Sequence, residues 1–161
     1  YEDATLTIVG IGEMEGQLKA RIAELHLQER VTLTGGLPHE DVLRRMAQSD
    51  LFVLPSWGEG YGIVYIEAMA AGCIAVGAQN EGIADTITDG ENGFLVPAGD
   101  TDAVERVMRA VFAHPEDYEA LRARGTRDAR RLTWAHNAEI TAGVYREAME
   151  HWRKEHAQAG H

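Results

Sequence analysis

The sequence predicts an α/β fold in which a parallel sheet is sandwiched by helices, and three observations carry that expectation. Short apolar runs alternate with segments of helical periodicity. The central runs are apolar on both faces, as a sheet covered by two helix layers requires. After Asp100 the pattern turns purely helical. Strands alternating with helices imply right-handed crossovers onto parallel strands.

The elements follow in order. Residues 5–9 read as a strand ending in Gly10-Ile-Gly12, and residues 13–27 as a helix with Leu18, Ile22, Ala23 and Leu25 near helical spacing. Residues 30–34 form a second strand, closed by Gly35-Gly36. Residues 38–49 form a helix with Val42, Leu43 and Met46 on one face. Residues 51–54 are a fully apolar strand stopped by Pro55, and residues 56–61 are a loop. An apolar helix over 62–71 leads to a fourth strand over 74–78. A short helix is expected at 83–88, a turn at Asp89-Gly90-Glu91-Asn92-Gly93, and a fifth strand at 94–96. Helices over 102–113, 116–132 and 134–156 complete the chain. This makes residues 1–133 a Rossmann-like domain and residues 134–161 a C-terminal helix packing on it.

Charge narrows the function classes. The 161 residues carry 15 Lys+Arg against 26 Asp+Glu, a formal charge of −11. Between Met46 and Glu105 there is no Lys or Arg, while ten acidic residues fall there. Phosphate backbones need basic footprints, so nucleic acid is excluded as a partner. An electrostatic membrane anchor on that stretch is excluded too. No apolar run approaches the ~20 residues of a transmembrane helix. The single cysteine, Cys73, gives no disulfide framework and reads as a buried, inert thiol. A cytoplasmic setting follows as the expectation, with peripheral membrane association open to a longer chain.

Gly10-Ile-Gly12-Glu-Met-Glu-Gly16 has the outline of a phosphate loop. The second strand, however, ends Thr34-Gly35-Gly36, without the acidic residue that a dinucleotide's ribose wants, and Glu13 and Glu15 sit where a pyrophosphate would lie. A tight strand-to-helix turn is the better reading. Ser56 lies in no G-x-S-x-G elbow. Arg122, Arg124, Arg127, Arg130 and Arg131 read as a solvated face paired with acidic neighbours, and His114 before Pro115 as structural.

The informative segment runs from Pro55 to Gly72. Glu67 sits on a helix whose near neighbours, Ile63, Val64, Ala70 and Ala71, are apolar. A carboxylate there is expensive unless it is paired or meets a polar ligand. Glu59 lies eight residues earlier in a glycine-flanked loop at the carboxyl end of a strand, the edge where open parallel sheets bind ligands. Gly58, Gly60 and Gly62 let the backbone approach a ligand closely, and the helix that follows offers free N–H groups. On chemistry alone, an internally paired Glu67 with a solvated Glu59 remains an equal alternative.

The run Glu59-Gly-Tyr-Gly-Ile-Val-Tyr-Ile-Glu67 resembles the E-x7-E pair of retaining GT-B glycosyltransferases of family 4. Ile8-Val9-Gly10-Ile-Gly12, Val31-Thr-Leu-Thr-Gly35, Ser49-Asp50-Leu-Phe-Val-Leu-Pro55-Ser56, Glu67-Ala-Met-Ala-Ala-Gly72, Glu81-Gly82-Ile83 and Asp89-Gly-Glu-Asn-Gly-Phe-Leu-Val96 agree with the family in order and spacing, and Trp134 matches the tryptophan opening its C-terminal helix. The resemblance implies the nucleotide-sugar-binding half of a two-domain transferase of the kind used in polysaccharide biosynthesis. It implies that Glu67 accepts hydrogen bonds from ribose hydroxyls and that Glu59 contacts donor-sugar hydroxyls and serves catalysis. Backbone N–H groups of Gly60, Tyr61, Gly62 and Ile63 would face sugar and diphosphate. Leu37 and Pro38 would lie near the base, and Gly82 and Ile83 would open a helix toward the phosphates. The nucleotide-diphospho sugar is the substrate, the acceptor is a sugar, lipid or glycan met through an N-terminal domain, and no cofactor or metal is implied.

The family places the diphosphate's Arg and Lys in a first βα unit, in a pattern like G-R…K-G, and the chain contains no such pattern. The domain is therefore expected to lack that unit and to be inactive alone. Glu81 stands where the family often has glycine, and Asp85 where it usually has glutamate. Two other readings use the same residues: an epimerase or phosphorylase of the same architecture, and a non-catalytic nucleotide-binding Rossmann module.

Overall fold

The computed structural model describes residues 3–58, 60 and 62–158. Strands and helices alternate: β1 (Leu6–Ile8), α1 (Glu15–Glu24), β2 (Val31–Leu33), α2 (His39–Met46), β3 (Leu51–Val53), α3 (Ile63–Ala71), β4 (Ile74–Ala78) and β5 (Phe94–Val96). A 3-10 turn, Gly82–Asp85, separates β4 from β5. After β5 come α4 (Thr101–Ala113), a second 3-10 turn (Pro115–Tyr118), α5 (Glu119–Arg131) and α6 (Trp134–Gln158).

Every ladder among the described residues is parallel, as expected, but the strands form two sheets instead of one. β1 pairs with β2, with Leu6 opposite Val31 and Ile8 opposite Leu33. β3, β4 and β5 form the second sheet, with Phe52 opposite Ala75 and Gly77 opposite Leu95. The two sheets also differ in burial. β4 is buried at all five positions, whereas β1 has two exposed residues out of three. A parallel strand is stable when helices cover both its faces, and only the second sheet has that cover.

The alternation of side chains along β4 builds the core. On one face Ala75 joins a cluster with Tyr65, Met69, Ile83, Ile87 and Ala129, from α3, the first 3-10 turn and α5. On the other, Val76 meets Val96 and Ala103 beside α4, and Ile74 meets Val111 and Leu121. Each fully buried aliphatic of this kind stabilises by about 1.5–3 kcal/mol. α4 starts where Asp100 accepts a hydrogen bond from the Ala103 N–H at 2.8 Å, a side-chain N-cap.

α5 packs along α3. The Thr126 hydroxyl donates to the Met69 carbonyl at 2.9 Å, and Arg130 donates to the Ala70 carbonyl at 3.3 Å. Arg122 pairs with Asp50 at 3.2 Å and Arg124 with Glu91 at 2.7 Å, so these arginines of the cluster pair with acidic residues brought near by the fold. Buried Asn92 pins the turn before β5: its Oδ1 accepts from the Thr88 N–H at 2.8 Å, and its Nδ2 donates to the Thr86 carbonyl and to Asp128. Cys73 is buried, and its thiol donates to the Met46 carbonyl at 3.0 Å. α6 keeps Trp134, Ile140, Val144, Tyr145, Met149 and Trp152 exposed. No helix among the described residues is long and apolar enough to cross a membrane.

Candidate functional site

The carboxyl ends of β3, β4 and β5 direct four segments to one edge of the sheet: the loop after β3, the start of α3, the β4-to-turn connection and the loop after β5. In a parallel sheet this is the edge at which ligands meet backbone and helix N-termini.

The loop after β3 is fixed at both ends. The Tyr65 hydroxyl, one turn into α3, donates back to the Leu54 carbonyl, and its ring meets Phe52 edge-on with centroids 5.5 Å apart. The Tyr65 N–H donates to the Gly62 carbonyl at 2.9 Å. Gly62 precedes α3 with φ 66° and ψ 52°. That left-handed conformation costs a side chain free energy and suits glycine. Gly62 itself is buried and Ile63 is exposed, so α3 opens outward from this point.

The same loop is tied down from across the edge. The Gly58 N–H donates to Glu81 Oε1 at 3.1 Å. Glu81, which the sequence marks only as a departure from the family's glycine, is therefore a strap between the β4 connection and the glycine loop. Trp57 packs against Gly99, where a Cβ would come within 2.8 Å of the indole. Gly99 has φ 79°, so two constraints require glycine there, and the β5 loop is drawn against the β3 loop. The Ser56 hydroxyl is buried with no hydrogen-bond partner among the described residues. An unsatisfied buried hydroxyl typically costs about 1–3 kcal/mol, which a polar ligand or a loop shift at this point would relieve.

Glu67 lies on the second turn of α3, and its side chain keeps 27% of its accessible surface. Its Oε1 lies 3.3 Å from Nε2 of His39, the first residue of α2. The sequence assigned no role to His39; only the packing of α2 on α3, through Val42, Leu43 and Met46 against Val64, Ala68 and Ala71, brings it to Glu67. Leu37 and Pro38 immediately precede it. Pro38 is exposed, and its carbonyl accepts from the Asp41 and Val42 N–H groups, at 2.9 and 3.2 Å, to start α2. His39 thus stands next to Pro38 in the chain and beside Glu67 in space.

Other expected site residues divide. Glu59 and Tyr61 lie outside the described residues, and Gly60 is exposed. The Ile83 side chain is fully buried in the core, leaving only its backbone to face a ligand. The helix expected at 83–88 is a four-residue 3-10 turn. So short an element has almost no macrodipole, and any help to a phosphate comes from individual N–H groups. Cys73 takes no part: burial pushes its thiol up to about 11 from the ordinary 9.0, which keeps it protonated and unreactive. No three His, Cys, Asp or Glu side chains converge as a metal site among the described residues. A cleft of about 330 Å³ lined by Asp85, Asn92, Arg124 and Asp128 lies against α5.

Comparison with known proteins identifies the family. The chain is 32% identical over 130 residues to the GDP-mannose-dependent alpha-(1-6)-phosphatidylinositol monomannoside mannosyltransferase of Mycolicibacterium smegmatis, covering 76% of this chain and 34% of that protein. It is 33% identical over 149 residues to a glycogen synthase of Pseudomonas syringae, covering 90% of this chain and 30% of the synthase. The crystal structure of Anabaena HepE in complex with UDP-glucose superposes with a TM-score of 0.75 at 25% identity, over 88% of this chain and 40% of HepE. The chain thus spans between 30% and 40% of the length of these proteins. Residues 1–128 match the family described as glycosyl transferases group 1, and the chain belongs to that family of GT-B enzymes.

Proposed function

We propose that this chain is the donor-binding half of a retaining glycosyltransferase. The observation that carries the reading is Glu67, a partly exposed carboxylate on an otherwise apolar helix, set beside the start of α2 at the ligand edge. An ionised carboxylate makes the stronger kind of hydrogen bond, and a ribose diol can donate two. Glu59 takes the donor sugar's hydroxyls and serves catalysis. Gly60, Tyr61, Gly62 and Ile63 offer N–H groups to sugar and diphosphate, Gly82 and the Ile83 backbone add donors, and Leu37 and Pro38 border the base.

The reaction breaks the bond from the donor's anomeric carbon to the phosphate oxygen. It joins an acceptor hydroxyl oxygen to the same carbon on the same face, and it releases the hydroxyl proton and the nucleoside diphosphate. The leaving diphosphate needs positive charge, and residues 46–105 supply none. The positive charge for the diphosphate therefore comes from outside this stretch. Acceptor and remaining catalytic groups come from a second domain, so the 161 residues alone bind donor without transferring it. The donor class is a nucleotide-diphospho hexose, since one relative is named for GDP-mannose and HepE was solved with UDP-glucose.

Calorimetric titration of the chain with UDP-, GDP- and ADP-sugars tests the reading. At least one should bind, and Glu67→Ala should weaken it about tenfold or more, the usual scale for a charged hydrogen-bond acceptor. Unchanged binding in the variant removes Glu67 from the site. Sugar transfer by the isolated chain would overturn its assignment as half an enzyme.

A further inference from the structure

We infer that His39 is a positioning residue for the nucleotide's ribose, acting through Glu67; the inference rests on the ribose reading of that glutamate. The imidazole Nε2 is 3.3 Å from Glu67 Oε1. A carboxylate has two oxygens and about four lone-pair sites. The ring nitrogen beside Oε1 occupies that side of the carboxylate and biases its orientation, leaving Oε2 and the remaining Oε1 site for the two hydroxyls of a ribose.

The contact is placed where orientation is decided. Glu67 is reached from α3, whose inward face is locked by Tyr65, Ala68 and Met69. His39 is the first residue of α2, whose own inward residues, Val42, Leu43 and Met46, are docked on α3. Two packed helices therefore present the pair, and the helix interface fixes the distance between their backbones. The charged neighbours on α2 do not compete for the imidazole's place: Asp41 is held by Arg44, and Glu40 is exposed. The His39 side chain remains 64% exposed, so the fold does not need it for packing. Its position immediately after Leu37 and Pro38 also puts it between the base-side loop and the ribose-side carboxylate. A group there sets how strongly the site prefers a ribose over a deoxyribose, more than how tightly it holds the diphosphate.

The test is the ratio of affinities for UDP and 2′-deoxy-UDP, and for GDP and 2′-deoxy-GDP, measured by calorimetry on the wild-type chain and on His39→Ala, His39→Gln and Glu67→Ala. Circular dichroism checks that each variant is folded. The wild type should prefer the ribonucleotide. His39→Ala should shrink that preference about threefold to tenfold, the range of one polar contact to a charged group. His39→Gln, whose amide carries an N–H to a similar reach, should restore most of it, and Glu67→Ala should abolish it. If Glu67→Ala abolishes the preference while His39→Ala leaves it at the wild-type ratio, the role of His39 is overturned and the ribose reading stands. If Glu67→Ala also keeps the ratio, or the wild type shows no preference, the ribose reading itself fails and the inference with it. A loss in His39→Ala that His39→Gln does not restore would also overturn the positioning role.

Discussion

The β3–β4–β5 sheet and the β1–α1–β2 unit are built from the same grammar of short apolar strand, helix and parallel strand, yet they differ sharply in burial. β4 is buried at all five positions, with α3 and α5 on one face and α4 on the other. In the β1–α1–β2 unit, α1 has no buried residue, and Leu6 and Val9 are exposed. The difference teaches that parallel pairing alone does not make a core. A strand gains stability from the helices on its faces, and where one face lacks them the ladder persists with little apolar burial behind it. The ligand edge belongs to the well-covered region, which lets α3 and the glycine loop be held in place while the other unit stays loosely attached.

The largest expected effect would break the covered region. Tyr65 is almost wholly buried, meets Phe52 edge-on, and ties the Leu54 carbonyl to α3. Tyr65→Ala should cost about 3–5 kcal/mol in urea unfolding, as large aromatic truncations in cores do. Ile22→Ala, at a partly buried position of the largely exposed α1, should cost under about 1 kcal/mol. Equal losses would erase the contrast between the regions.

A second prediction sharpens the contrast through pH. Burial raises the Cys73 thiol to about 11 against 9.0 ordinarily. Below pH 9 the thiol is protonated in both states, and its contribution is fully present. As pH rises above 9 the unfolded thiol ionises first, which favours unfolding, and the loss levels off once the native thiol ionises near 11. The window should remove at most about 2–3 kcal/mol. Subtracting the profile of Cys73→Ala cancels the tyrosines and lysines common to both proteins. A flat difference curve between pH 9 and 11 would mean that the thiol is not held in a dry site.

Much of this was readable along the chain, and what was not has a physical cause. The strands at 74–78 and 94–96 and the helix start at Trp134 lie where the apolar runs put them, because burial and local pattern agree there. The helix expected over 13–27 is shorter, Glu15–Glu24. Leu25 follows as its C-cap and His26 turns left-handed at φ 54°, which periodicity does not encode. The helix expected at 116–132 begins as a 3-10 turn at Pro115. Glu67 announced itself as a charge on an apolar helix, a local signal. His39 and Glu81 did not, because their partners, Glu67 and the Gly58 N–H, lie 28 and 23 residues away and are reached only by tertiary packing.

The smallest effect belongs to the exposed unit and tests whether charge does there what burial does elsewhere. Lys19 Nζ is 2.6 Å from Glu15 Oε1 across one turn of α1, with both side chains largely in water, at 64% and 47% exposure. The glutamate precedes the lysine by four residues, the better orientation for a helix pair. Even so, solvent screening and the entropy of fixing two long side chains hold such pairs to about 0.3–0.5 kcal/mol. Lys19→Ala should therefore change stability by less than about 0.5 kcal/mol, partly offset by alanine's higher helix propensity. A ten-residue helix is marginal on its own, so α1 depends on the partial cover of Leu18 and Ile22, and Ile22→Ala should cost more than Lys19→Ala. The opposite order would show that surface charge, and not residual apolar contact, holds the β1–α1–β2 unit together.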